Sequence, residues 1–162
     1  MKKPDFISES KEATLESFIK NKIKKDSKRL RGKYPAFSEI VNGNIKTLKI
    51  RKIYRFYEDL KDFFLFLTDN FNKKPKTRYF LGVSLASQSS DFLVALARDF
   101  AVENNLKLIQ YSIYPKTLRI NLIIIKELKS EDEFLEWIKI LKDYKKKFKK
   151  ELIKFKNLVE NK

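Results

Sequence analysis

Residues 49–67 read KIRKIYRFYEDLKDFFLFL, a run of cations threaded with aromatics that ends as almost pure hydrocarbon. Ile53, Phe56, Tyr57, Leu60, Phe63, Phe64 and Leu67 recur at steps of three and four, which predicts one apolar stripe on a helix over 50–68. On the other face of that helix Arg51, Lys52 and Arg55 come first, followed by Glu58, Asp59 and Asp62. This order opposes the helix dipole, which favours anions at the start and cations at the end. The apolar stripe is therefore read as structural and the three misplaced cations as a candidate grip on an anion. Arg51 and Arg55 stand out because a guanidinium holds phosphate through a planar two-pronged fork, whereas an ammonium is a movable point charge.

Outward from this stretch the chain is basic throughout. Its 162 residues carry 37 Lys plus Arg against 21 Asp plus Glu, a formal charge of +16. A charge that far from zero makes polyanions the default partner, with DNA or RNA first among them. The chain has neither Cys nor His. Disulfides, thiolate metal sites, thiol nucleophiles and the Ser-His-Asp triad are thereby excluded, leaving carboxylates with a divalent metal as the one route to hydrolysis. Pro4, Asp5, Glu9 and Lys11 spell the letters of a metal-dependent nuclease motif, but they lie too close together to project from paired strands. Glu131, Asp132, Glu133 and Glu136 read as ordinary acids of a first helical turn, so the expectation is no metal and no cofactor.

Before the opening stretch, SESKEATLESFIKNKIKKDSKRLRG (8–32) places Leu15, Phe18, Ile19, Ile23 and Leu30 at mostly helical spacing, with Ser8 or Ser10 as cap and Gly32 as stop. Its second half is lopsided in charge: Lys20, Lys22, Lys24, Lys25, Lys28, Arg29, Arg31 and Lys33 face only Asp26. The segment 34–47 holds Pro35 and an Asn42-Gly43 turn signal, and is either a connector or a short hairpin.

After the basic loop NKKPKT (72–77), the period changes from 3.6 to 2. Tyr79, Leu81, Val83 and Leu85 alternate with Phe80, Gly82, Ser84 and Ala86, which predicts a strand over 78–86. A helix follows over 90–104, capped in the Ser87–Ser90 cluster and ended by Asn104-Asn105. Ser87, Ser89 and Ser90, at a strand-to-helix junction, form a candidate anion site on free backbone N–H groups. Residues 106–114 and 117–126 read as a hairpin in which Ile109 opposes Leu122 and Tyr111 opposes Ile120. Ser130 and Glu133 then open a long helix over 131–158 with a capping box; Phe134, Ile138, Leu141, Tyr144, Phe148, Leu152, Phe155 and Val159 hold its stripe. Its later half, DYKKKFKKELIKFK, is dense in Lys on the other face.

The expected fold is α+β: a small mixed sheet of three or four strands, a β-α-β-β unit over 78–126, packed on several helices, with long amphipathic helices at both ends. One domain over 1–162 is expected, made of a basic helix 1–33, a connector and helix 34–77, the β-α-β-β unit, and a basic helix 130–160. With no apolar leader and no membrane-length segment, the expected location is the cytoplasm. The expected function is non-catalytic binding of a nucleic-acid backbone through Arg51, Lys52, Arg55, Lys24, Lys25, Lys28, Arg29, Arg31, Lys76, Arg78 and Arg119. The alternative is a non-catalytic accessory subunit of a replication complex, such as a primase or polymerase, or of an RNA-processing complex, with a protein partner docked on a long terminal helix.

Overall fold

The computed structural model describes residues 3–30, 37–41, 44–48, 50–68, 77–88, 91–111 and 120–160. The content is mixed α and β. Its elements are α1 (Lys3–Asp26), β1 (Ser27–Arg29), β2 (Phe37–Val41), β3 (Asn44–Leu48), β4 (Lys52–Phe56), a 3-10 turn (Glu58–Leu60), β5 (Phe63–Leu67), β6 (Tyr79–Gln88), α2 (Asp91–Glu103), β7 (Lys107–Tyr111), β8 (Ile120–Leu128) and α3 (Glu133–Glu160).

The stretch expected to be one helix is a strand, a turn and a second strand. Lys52 pairs with Leu67 and Arg55 with Phe64 in an antiparallel ladder. The helical spacing misled because the same apolar residues serve both faces of a sheet. Tyr54, Phe56, Phe63, Leu65 and Leu67 point to one core and Ile53, Phe64 and Phe66 to another. A strand buried on both sides has an unbroken apolar run with no period of its own, and FFLFL is such a run. β-branched and aromatic residues then decide for strand. The dipole argument for misplaced cations falls with the helix. Arg51 and Arg55 are also no longer one helical turn apart, since four strand residues span about 13 Å.

The sheet is also larger and more uniform than expected. Among the described residues it has eight strands in the order β1-β4-β5-β6-β8-β7-β2-β3, and every pairing is antiparallel, so it is not mixed. β2 and β3 form a hairpin closed by Val41 opposite Asn44, which settles the segment left open above. The β7–β8 register is one residue from the expected one: Ile109 opposes Ile123 and Tyr111 opposes Asn121. In this register Leu108, Leu122 and Ile124 join one core while Ile109, Ile123 and Ile125 join the other. Gln110 opposite Leu122 is half-buried, so the slip moved no strongly charged group inward.

All three helices contribute to the larger core, through Leu15 and Ile19 of α1, Leu93, Ala97 and Phe100 of α2, and Phe134, Leu141 and Phe148 of α3. Phe134 meets Phe18 and Phe56 edge-on, at 5.3 and 5.8 Å between ring centroids, and Phe148 meets Phe100 at 5.4 Å. Trp137 Nε1 donates to the Glu127 carbonyl at 3.0 Å and fixes the start of α3 on β8. Glu133 accepts from the Ser130 and Lys129 N–H groups, the acidic half of the expected capping box. α2 ends at Glu103, and just beyond it Asn105 takes a left-handed φ of 55° while the Leu106 N–H reaches back to the Ala101 carbonyl.

α1 stops at Asp26, earlier than expected. Lys28 and Arg29 lie on β1 instead, and the Leu30 N–H bonds the Ile53 carbonyl. The expected stop at Gly32 lies outside the described residues.

Candidate nucleic-acid interface

β1 has no apolar residue to bury, so its three residues stay on the rim, with Lys28 and Arg29 exposed. It pairs with β4 so that Ser27 opposes Phe56, Lys28 opposes Arg55 and Arg29 opposes Tyr54. Lys28 and Arg55 are thus directly opposed cations on one face, with Cβ atoms about 4.5–5.5 Å apart, an arrangement that destabilises a sheet. Their row continues inward through Phe64, Gly82 and Ile125 to Lys107, so cations flank an apolar centre. Lys24 and Lys25, exposed in the last turn of α1, lead directly into β1.

Arg55 is held in place. Its Nε donates to the Lys61 carbonyl at 3.1 Å, and its guanidinium carbon lies 5.9 Å from the centroid of the Phe64 ring. The turn it braces carries Glu58 at a left-handed φ of 53°. That turn is stapled further on: the Asp62 carbonyl accepts from the Ser84 N–H, and the Asp62 carboxylate pairs with Lys145 of α3 at 3.0 Å. Among the described residues, acids near the basic edge are few. Asp26 pairs with Lys22 at 3.3 Å, while Glu58 and Asp59 sit in the turn beyond β4.

Arg51 is exposed just before β4, where its N–H bonds the Leu67 carbonyl, and Lys52 opens the strand half-buried. Arg78 lies at the same end of the sheet, but both prongs of its fork reach Glu127, at 2.9 and 3.2 Å. The hydrogen bond from Arg78 holds the Glu127 carboxyl below the usual range against the effect of burial. Arg31, Lys76, Arg119, Ser89 and Ser90 lie outside the described residues. Ser87 pairs with Asn121 near the end of β6, and the helix that follows opens with Asp91, whose carboxylate already complements the N-terminal dipole.

The structure therefore brings Lys28 and Arg55 together on one face of the edge, with Arg29 on the opposite face in register with Tyr54 and Lys24 and Lys25 in the helical turn that leads into β1. Arg51 and Lys52 lie farther along β4, and Arg78 is engaged elsewhere. What the sequence hid is the brace from the Lys61 carbonyl, which requires a hairpin turn where a helix was expected. Cations on an edge strand also deter pairing with another chain. Among the described residues no three acids are grouped to hold a metal, and no helix is long and apolar enough to cross a membrane. Compared with known proteins, the chain matches no family model, no curated protein and no solved structure.

Proposed function

We propose that this chain is a non-catalytic nucleic-acid-binding protein that holds the phosphate backbone along the edge formed by the end of α1, β1 and β4. The observation that carries this reading is the direct opposition of Lys28 and Arg55. Cations on an edge strand deter pairing with another chain, but facing two of them across a rim costs stability, and a phosphate between them converts that repulsion into two charge-assisted contacts. Lys24 and Lys25 add charge at the end of α1 and Arg29 adds it on the other face of β1, and a formal charge of +16 draws polyanions to this end of the sheet. Contacts of this type position a backbone and carry little sequence information. Residues 78–126, read as a β-α-β-β scaffold, continue the same sheet inward from β5. The test is anisotropy of a labelled oligonucleotide against salt. With about four to six phosphates neutralised, log affinity falls with log salt at a slope of about −4 to −5 on duplex DNA. A flat response rejects the reading.

One observation favours the accessory-subunit reading. The stripe of α3 outruns the sheet: Phe155 stacks on Phe92 at 4.6 Å and both stay partly exposed, while Ile153, Leu158 and Val159 are more than half exposed. Exposed apolar groups of this kind suit a partner protein in a replication or RNA-processing assembly. Co-purification of a stoichiometric partner that is lost on truncation before Ile153 is the result this reading requires.

A further inference from the structure

A second positive feature lies at the far side of the Arg55-braced turn, on the helical face of the sheet. Lys142, Lys145, Lys146 and Lys149 of α3 stand at i, i+3, i+4 and i+7, so they share one helical face. They line a cleft of about 190 Å³ with Phe63 and Val83 as apolar walls and Asp59 and Asp62 opposite. One of the four lysines is already answered: Lys145, only 17% exposed, pairs with Asp62 at 3.0 Å. Burial acts to raise the Asp62 carboxyl, but the hydrogen bond and charge of Lys145, with the charges of Lys61 and Lys149, overcome this and hold it below the usual range. Asp62 therefore stays ionised and spent on Lys145. Lys142, Lys146 and Lys149 then face a cleft whose other acid is Asp59.

We infer that this cleft is an anion site, separate from the β1–β4 edge, that takes a single phosphate group. Like charges at i, i+3 and i, i+4 weaken a helix, and an anion between them removes that cost. Ammonium groups also hold phosphate, as movable point charges that can approach a tetrahedral anion from several sides. The apolar walls lower the local dielectric and strengthen each contact. The volume is below the roughly 300–1,000 Å³ of pockets that enclose a whole small ligand, so one phosphate enters and the rest of its carrier stays outside. The carrier is either a nucleic-acid strand or free polyphosphate.

The experiment uses the full chain, labelled for amide NMR, and two probes: tripolyphosphate and a short single-stranded oligonucleotide. Tripolyphosphate is expected to shift the amides of Asp62, Phe63 and residues 142–149. Lys146→Gln with Lys149→Gln should weaken it at least tenfold, Lys146→Arg with Lys149→Arg should retain it, and Lys24→Gln with Lys28→Gln should leave it unchanged. That last variant separates this site from the proposed function, because it weakens the basic edge and spares the Arg55 brace on the turn. If the oligonucleotide shifts the same amides, the carrier is a strand; if only tripolyphosphate does, it is free polyphosphate. Absence of shifts at these amides with both probes, or equal affinity in the Lys146→Gln, Lys149→Gln protein, overturns the inference.

Discussion

Lys28 and Arg55 stand opposite each other on β1 and β4, two cations in register at the rim of an antiparallel sheet. Replacing Lys28 by Glu turns that opposition into an ion pair. Cross-strand pairs of opposite charge contribute about 0.2–1 kcal/mol, and relief of the repulsion adds to it. Lys28→Glu is therefore expected to raise stability in chemical denaturation by up to about 1 kcal/mol. A lower midpoint would mean that Lys28 makes a structural contact that outweighs the repulsion.

Gly82 leaves no room for a side chain in the sheet. A Cβ there would lie 2.7 Å from Ile123 Cγ2 and 3.0 Å from both Ile125 Cγ2 and the Phe66 ring. These neighbours are fully buried or nearly so, in the core on the face opposite the helices. Gly82→Ala forces them apart, and overpacking of this kind costs about 1–3 kcal/mol. Thermal unfolding of the variant reads this directly.

Much of the fold was legible where one face of an element is wet. α2 and α3 show a clean stripe because their outer faces carry Arg98, Asp99, Lys139, Lys142 and Lys146. β6 is buried on both faces over 79–83, and its strand was legible because Gly82, Ser84 and Ala86 interrupt the apolar run on one face. Where both faces are buried, as in FFLFL, period carries no information, and 49–67 took the wrong one. β1 was illegible because Ser27, Lys28 and Arg29 have nothing to bury and form a strand only because β4 offers an edge. The cations of the candidate interface were therefore identified as residues but not as neighbours. Lys28 and Arg55 are far apart in sequence, and only strand pairing brings them together.

Glu127 has its carboxyl held down chiefly by the hydrogen bond from Arg78. A carboxyl whose folded pKa is depressed contributes stability above its unfolded pKa and loses it as pH falls through the folded value. Arg78 is 45% exposed in its side chain, so solvent screening limits the pair to well under about 1 kcal/mol. Glu127→Gln is expected to be slightly destabilised at neutral pH and to converge with the unaltered protein in strong acid. Denaturation midpoints across pH check it; a difference that grows toward acid contradicts the assignment.

Phe134 joins α1, β4 and α3 through its contacts with Phe18 and Phe56, and is 1% exposed. Phe134→Ala is expected to cost about 3–5 kcal/mol, as large-to-small changes at buried phenyl rings do. A loss under about 1 kcal/mol in chemical denaturation would show that this junction collapses to fill the space.

The central claim is that the Lys28–Arg55 edge holds phosphate. It is tested most directly by the salt dependence of oligonucleotide affinity in a Lys28→Gln, Arg55→Gln protein beside the unaltered chain. Removing two phosphate contacts should weaken binding across all sequences alike and flatten the log–log salt slope by about two, one per lost contact. The melting temperature should hold, because the lost brace from Arg55 to the Lys61 carbonyl is offset by relief of the opposed charges. An unchanged slope and affinity, with the fold intact, would contradict the claim.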